Sequence, residues 1–222
     1  MAKFSKNEVL QKLEEVPIVP LFTHTDFSVA KSGMKACYDG GIRVFEYTNR
    51  SSIAGQIFIQ LVEYARLEMP DLAIGIGTIF HEEEAGYFIE NDADFIIQPI
   101  INEKVGILCN HHNVAWIPGV MTINEIYSAQ LLGADVIKIF PANILGNSFI
   151  KAVKGPLPHV NLMATGGVLP TVENLNGWFS SGVSCVGIGS QLCPTENIET
   201  NDYSQLQRNV ETCVAFTKNF KI

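Results

Sequence analysis

Eight short runs rich in β-branched and aromatic residues recur along the chain at intervals of roughly 20–30 residues. They are IVPLFT (18–23), RVFEYT (43–48), AIGIGT (73–78), FIIQP (95–99), AWIPGV (115–120), VIKIFP (136–141), NLMATGG (161–167) and CVGIGS (185–190). The interval is the length of a parallel strand with its return helix. Most of the runs are continuously apolar, as strands buried on both faces must be. Eight such units without a linker or a break in composition imply one domain, residues 1–222, folded as a parallel eight-stranded (β/α)8 barrel of the TIM type. An open doubly wound sheet is the competing arrangement, but no G-x-G-x-x-G follows the first run.

The segments between the runs carry helix signals. Asp26 is placed to cap a helix that stops at Gly40-Gly41, and 51–69 shows an apolar stripe through Ile53, Ile57, Leu61, Tyr64 and Ala65. Thr122-x-x-Glu125 is a capping box, and its helix is expected to end at Gly133. Glu82-Glu83-Glu84 suits a helix start, where the dipole favours acids. Residues 5–15 read as a short leading helix and 196–220 as a terminal one, while His111-His112 reads as a solvated turn.

The net charge of -8, with no run of Lys or Arg, argues against nucleic acid as a partner. A small anion is still admissible, because a few local donors can reverse the field inside a cleft. The polar start MAKFSKNEVLQKLEEV is no secretory core, and no apolar run approaches the ~20 residues of a membrane span. Five cysteines (Cys37, Cys109, Cys185, Cys193 and Cys213) without a C-x-x-C pair point to reduced thiols in a cytoplasm. No His, Cys or Asp cluster has metal-ligand spacing, so no metal is expected.

In a barrel of this type the active site lies at the C-terminal ends of the strands. Those ends are unusually polar here: Glu46, Thr48 and Arg50 on or after the second run, Thr78 after the third, and Lys138 within the sixth. Thr165-Gly166-Gly167 and Gly189-Ser190 close the seventh and eighth runs. Glu46 and Thr48 share a strand face, as do Lys138 and Phe140. An ammonium surrounded by Val136, Ile137, Ile139 and Phe140 either snorkels outward or sits in a dry lumen. In the lumen, desolvation and Arg50 would both lower its pKa, and a neutral amine attacks carbonyl carbon. Glu46 is alternatively a salt-bridge partner for Arg50. T-G-G together with G-I-G-S matches the phosphate site that such barrels build after their last two strands.

Taken in order, these residues resemble the class I aldolase family that contains 2-keto-3-deoxy-6-phosphogluconate (KDPG) aldolase and 4-hydroxy-2-oxoglutarate (KHG) aldolase. FEYTNR is similar to the family's E-x-T-x-R, GIGT to its G-x-G-T, and WIPGVMTINE to its I-P-G-x-x-T-x-x-E. KIFPA is similar to K-x-F-P-A and ATGGV to T-G-G, and the likeness spans roughly residues 8 to 215. It implies that Lys138 forms a Schiff base and that Glu46 is the general acid/base. It implies further that Arg50 and Thr78 hold the pyruvyl carboxylate, that Pro99 and Phe140 wall the pocket, and that Thr165 lies near the substrate hydroxyls. Gly166, Gly167, Gly189 and Ser190 would then form the distal phosphate site. The implied reaction is metal-free and needs no cofactor beyond the covalent imine with Lys138. It cleaves KDPG to pyruvate and glyceraldehyde 3-phosphate, with KHG as a further substrate, in a cytoplasmic homotrimer of the Entner–Doudoroff pathway.

The chain departs from the family pattern at Gln98 and Ile100, where S-P-G is usual around the proline, at Asn143, where an acid often stands, and at Leu169. These changes are expected to flank the aldehyde end and so bear on substrate identity more than on reaction type. A phosphogalactonate-type substrate, a phosphosugar epimerase and a non-catalytic phosphate-binding barrel are the alternative readings.

Overall fold

A computed structural model describes residues 2–192, 198, 200 and 202–220 of the chain. Nine parallel strands form one sheet: β1 (Ile18–Phe22), β2 (Val44–Thr48), β3 (Ala73–Gly77), β4 (Phe95–Ile97), β5 (Ala115–Ile117), β6 (Gly119–Val120), β7 (Ile137–Ile139), β8 (Leu162–Thr165) and β9 (Cys185–Ile188). Their order is β5-β4-β3-β2-β1-β9-β8-β7-β6. The two edges of that sheet, β5 and β6, are separated by Pro118 alone, so the chain itself closes the barrel. The eight expected staves are all present, with the fifth broken because proline has no N–H to give the ladder. The Pro118 carbonyl still accepts from Lys138 N at 2.8 Å, which keeps β7 in register across the break.

The helices are α1 (Lys6–Glu15), α2 (Phe27–Asp39), α3 (Ala54–Glu68), α4 (Glu82–Glu90), α5 (Glu103–His111), α6 (Ile123–Leu131), α7 (Ala142–Lys154), α8 (Val172–Ser181) and α9 (Ser204–Asn219). The capping signals work as read. Asp26 Oδ1 accepts from Ser28 N at 2.7 Å, and Thr122 N donates to Glu125 Oε2 at 2.8 Å, each cap stabilising its helix by about 1 kcal/mol. Two expectations need correction. His111 closes α5 and His112 caps it, so the pair is exposed but belongs to a helix end. The terminal helix starts at Ser204, not at 196; Glu196, Asn197, Glu199 and Asn201 lie outside the described residues, as does Cys193.

Alternation along the strands sorts side chains into two cores. On β2, Phe45 and Tyr47 face the helix layer, while Val44 faces the lumen with Ala73, Phe95, Ile97, Met163 and Cys185. Helix α1 lays Val9 and Leu13 across the lumen's N-terminal end, and both are buried. Fully burying such side chains stabilises by roughly 1.5–3 kcal/mol each. At the same end Asp94 fastens the N-terminal segment. It accepts from Lys3 N at 2.9 Å, Phe4 N at 3.1 Å and Ile74 N at 2.9 Å, and it pairs with Arg66 at 3.0 Å. The bottom of the barrel is thus plugged and its polar atoms are satisfied. The cavity that reaches into the lumen lies at the opposite end.

Candidate active site

One step further along the same lumen face, the apolar filling stops. Glu46 on β2 is 1% exposed and Lys138 on β7 is 5% exposed, so an acid and an amine share the barrel's interior. Glycines make this possible. A Cβ at Gly77 of β3 would overlap the Glu46 carboxylate, and one at Gly187 of β9 would collide with Thr165 Oγ1. Small residues on these strands let polar side chains lie across the lumen.

Above this layer is a cavity of about 350 Å³. Arg50, Thr78, Pro99, Lys138, Phe140 and Thr165 line it, and Gly166, Gly167, Gly189 and Ser190 form another part of its wall. Ten of the eleven residues to which the resemblance gives a role therefore come together at one mouth, with Thr48 beside them. The eleventh, Glu46, lies beneath the cavity and is not part of its lining. The sequence reading missed Leu21, Thr23 and Gln191, which also line it. Thr23 sits at the end of β1 as Thr48 does on β2, and its hydroxyl donates to the Thr48 carbonyl at 3.2 Å. Polar residues at strand ends were the available signal.

The electrostatics follow from burial. Burial pushes the Lys138 amine below the usual lysine range; Glu46 opposes the shift and Arg50 adds to it. Lys138 Nζ lies 5.1 Å from the centre of the Phe140 ring, a contact that favours the cation. That contact is worth at most about 2 kcal/mol, against several for burying an ammonium, so burial decides the direction. Glu46 moves the other way: burial raises it above the usual carboxylate range, while Lys138 and then Arg50 pull it down. Both shifts run toward neutral pH, the direction in which burial tunes a catalytic Glu or Lys.

Glu46 Oε2 is buried without a hydrogen-bond partner, and so are Thr48 Oγ1 and Thr165 Oγ1. Among the described residues Glu46 makes no ion pair within 4.0 Å with Arg50 or with Lys138, so the reading of Glu46 as a structural partner for Arg50 has no contact behind it. Thr78 carries a second departure from resting structure. Its φ is 64°, a region that β-branched residues avoid. The T-G-G turn holds Gly166 at φ 102° and Gly167 at φ 73°, which exposes backbone to the cavity. Such backbone concavities suit anions.

None of Gln98, Ile100, Asn143 and Leu169 lines the cavity. Gln98 is fully buried behind β4, and Ile100 and Leu169 are 44% and 38% exposed. Asn143 backs onto Gly167 from outside, and its N–H donates to the Gly166 carbonyl at 3.0 Å. Of the four departures expected at the aldehyde end, Asn143 thus packs behind the cavity wall without lining it.

A buried amine with a lowered proton affinity, an acid with a raised one, and a polar mouth above them can form and cleave imines. Known aldolases share this chain's sequence and fold. The sequence profile of the aldolases described as KDPG and KHG aldolase matches residues 9–209. The chain is 32% identical over 200 residues to a 2-dehydro-3-deoxy-phosphogluconate aldolase of Pseudoalteromonas atlantica, covering 90% of each chain. It is 28% identical over 204 residues to the KHG/KDPG aldolase of Escherichia coli, covering 91% of this chain and 92% of that one. A crystal structure of KDPG aldolase from Legionella pneumophila, with pyruvate captured as a covalent carbinolamine, superposes with a TM-score of 0.81 at 26% identity. The match covers 91% of this chain and 96% of that one. The fold and these relatives define an aldolase, a carbon–carbon lyase on a TIM-type barrel. The chain belongs to the KDPG and KHG aldolase family.

Proposed function

We propose that the chain cleaves 2-keto-3-deoxy-6-phosphogluconate to pyruvate and glyceraldehyde 3-phosphate through an imine on Lys138, and also cleaves 4-hydroxy-2-oxoglutarate to pyruvate and glyoxylate. The observation that carries this reading is the amine itself: Lys138 is 5% exposed, opens on the cavity, and is shifted toward its neutral form. Its Nζ adds to the substrate's keto carbon, and the carbinolamine loses water to give an iminium. The C4 hydroxyl gives up a proton, the C3–C4 bond breaks, and its electron pair moves to the iminium nitrogen, forming an enamine and releasing the aldehyde. A proton then returns to C3, and water hydrolyses the pyruvyl imine to regenerate the amine. Glu46 carries these protons, and because it lies below the cavity it does so through a water. The scheme calls for no metal and no further cofactor.

Arg50 and Thr78 hold the pyruvyl carboxylate, with Pro99 and Phe140 as walls and Thr165 beside the substrate hydroxyls. Backbone N–H groups of Gly166, Gly167, Gly189 and Ser190 receive the phosphate, a role that needs no basic side chain. The enzyme works in the cytoplasm as a homotrimer. Phe80, Ile100, Met121 and Ile123, exposed beyond three neighbouring strands, support a face covered by another copy.

Borohydride in the presence of pyruvate tests the central step. It should reduce the imine irreversibly onto the peptide that contains Lys138, and protein left unmodified, or modified only at surface lysines, refutes the reading. Lys138→Arg should abolish turnover, because guanidinium stays protonated. Ser190→Glu sets a like charge beside the phosphate. It should raise KM for the phosphorylated substrate and leave cleavage of 4-hydroxy-2-oxoglutarate nearly unchanged.

A further inference from the structure

Thr78 stands at the cavity with its backbone at φ 64°, a conformation that a β-branched residue does not hold unless its neighbours impose it. The neighbours are fixed on both sides. The Gly77 carbonyl accepts from Asn49 N at 2.9 Å, which ties the residue before Thr78 to the end of β2. The Ile79 carbonyl, on the residue after it, accepts from Gln98 Nε2 at 3.2 Å. Gln98 is fully buried, and its amide is oriented by Trp116, whose indole N–H donates to Gln98 Oε1 at 2.8 Å. The indole in turn lies on Gly106 of α5, where an added Cβ would sit 2.7 Å from the ring. A chain of contacts therefore runs from α5 through β5 and β4 to the peptide beyond Thr78. No member of it other than Thr78 touches the cavity.

We infer that Gln98 is a positioning residue for carboxylate recognition: held by Trp116, it anchors Ile79 and so keeps Thr78 in the left-handed conformation that the keto-acid carboxylate requires. This rests on the reading above that Thr78 binds that carboxylate. It gives Gln98, a departure from the family's usual serine, a role in the affinity for every 2-keto acid substrate and none in the choice of aldehyde. A buried side-chain hydrogen bond of this kind can change an equilibrium by about tenfold when removed.

The test uses the full-length enzyme, with active sites counted by pyruvate-dependent borohydride trapping. Gln98→Met removes both amide contacts at nearly constant volume. KM for pyruvate in the condensation direction should rise roughly tenfold, with kcat per trapped site within about threefold of the parent. Trp116→Phe should move KM in the same direction by less. Thr78→Gly supplies the decisive background, since glycine reaches positive φ without strain. There Gln98→Met should change KM by less than about twofold, a non-additivity that a merely structural role would not produce. An unchanged pyruvate KM in Gln98→Met overturns the inference, and so does an equal effect of Gln98→Met in the parent and in the Thr78→Gly variant. If Thr78→Ala leaves pyruvate KM unchanged, the carboxylate assignment itself fails and the inference falls with it. If Thr78→Ala raises KM while Gln98→Met does not, only the positioning role is lost.

Discussion

Asp94 and Glu46 are carboxylates buried to nearly the same degree, at opposite ends of one barrel. Asp94, just before β4, is met by Arg66 and by the backbone N–H groups of Lys3, Phe4 and Ile74. Glu46, in the middle of β2, has an oxygen with no partner, beside two threonine hydroxyls in the same condition. Burial raises both groups above the usual carboxylate range, so desolvation alone does not distinguish them. Satisfaction does. Asp94 completes its own hydrogen bonds within the fold, whereas the set around Glu46 is left for a substrate to complete. The bottom of the barrel uses polar chemistry to fold, and the top holds it in reserve at some cost in stability.

If this contrast is correct, the two acids should fail in different measurements. The largest effect belongs to Glu46. Glu46→Gln keeps the shape but cannot carry a proton, so kcat should fall by about 10²–10⁴, the usual contribution of a positioned acid/base. The variant should unfold no earlier than the parent. Cleavage within about threefold of the parent would leave Glu46 without a catalytic task and erase the contrast.

The next effect falls on stability. Asp94→Ala strands Arg66, whose side chain is 20% exposed, together with three backbone donors. Breaking a buried pair in this way costs about 3–5 kcal/mol. For a chain of this size that lowers Tm by roughly 6–20 °C. Below the transition, kcat per trapped site should equal that of the parent. A fall in kcat with Tm intact would mean that the plugged end communicates with the mouth.

A smaller effect concerns the charges around Lys138. Arg50 lowers the proton affinity of that amine and Glu46 raises it. Arg50→Leu should therefore move the titration midpoint of the Lys138 side chain upward, and Glu46→Gln should move it downward, as read by NMR of the labelled ε-carbon. Shifts in the same direction for both variants would contradict the arrangement.

Much of this is legible in the sequence, for identifiable reasons. Strands buried on both faces leave continuous apolar runs, and caps such as Asp26 and Thr122 are local, so both could be read from the chain. The polar strand ends converged because the topology carries every parallel strand end to one side. What could not be read depends on register across strands. Gly77 appeared only as part of G-I-G-T, yet its missing Cβ is what admits Glu46. Gln98 read only as a change bearing on substrate identity, because its inward turn is fixed by Trp116 and Ile79, 18 and 19 residues away in sequence. Asp94 drew no notice among scattered acids, since its donors lie up to 91 residues away. The depth of Glu46 beneath the cavity also needed three dimensions. Alternation gives the face of a strand, not the height of the floor.

The smallest expected effect tests whether the top of the barrel really is held at a cost. Lys138 has a proton affinity in the folded state below its ordinary value of 10.5. Between the lowered value and 10.5 the unfolded chain binds more protons at this site, so the amine's contribution to stability becomes more favourable as pH rises through that window. Below the window its full penalty is present. Lys138→Met removes the ionisable group at similar length and apolar character. At pH 7 the variant should therefore be more stable than the parent by on the order of 1 kcal/mol in urea unfolding, a gain obtained by giving up function. The difference should shrink as pH is raised toward 10.5, because the parent's folded and unfolded amines then both become neutral. Other lysines and tyrosines titrate in that range too, but they are common to both proteins and cancel in the difference. A stability difference that does not change with pH would mean that the Lys138 ammonium is comfortably solvated where it stands.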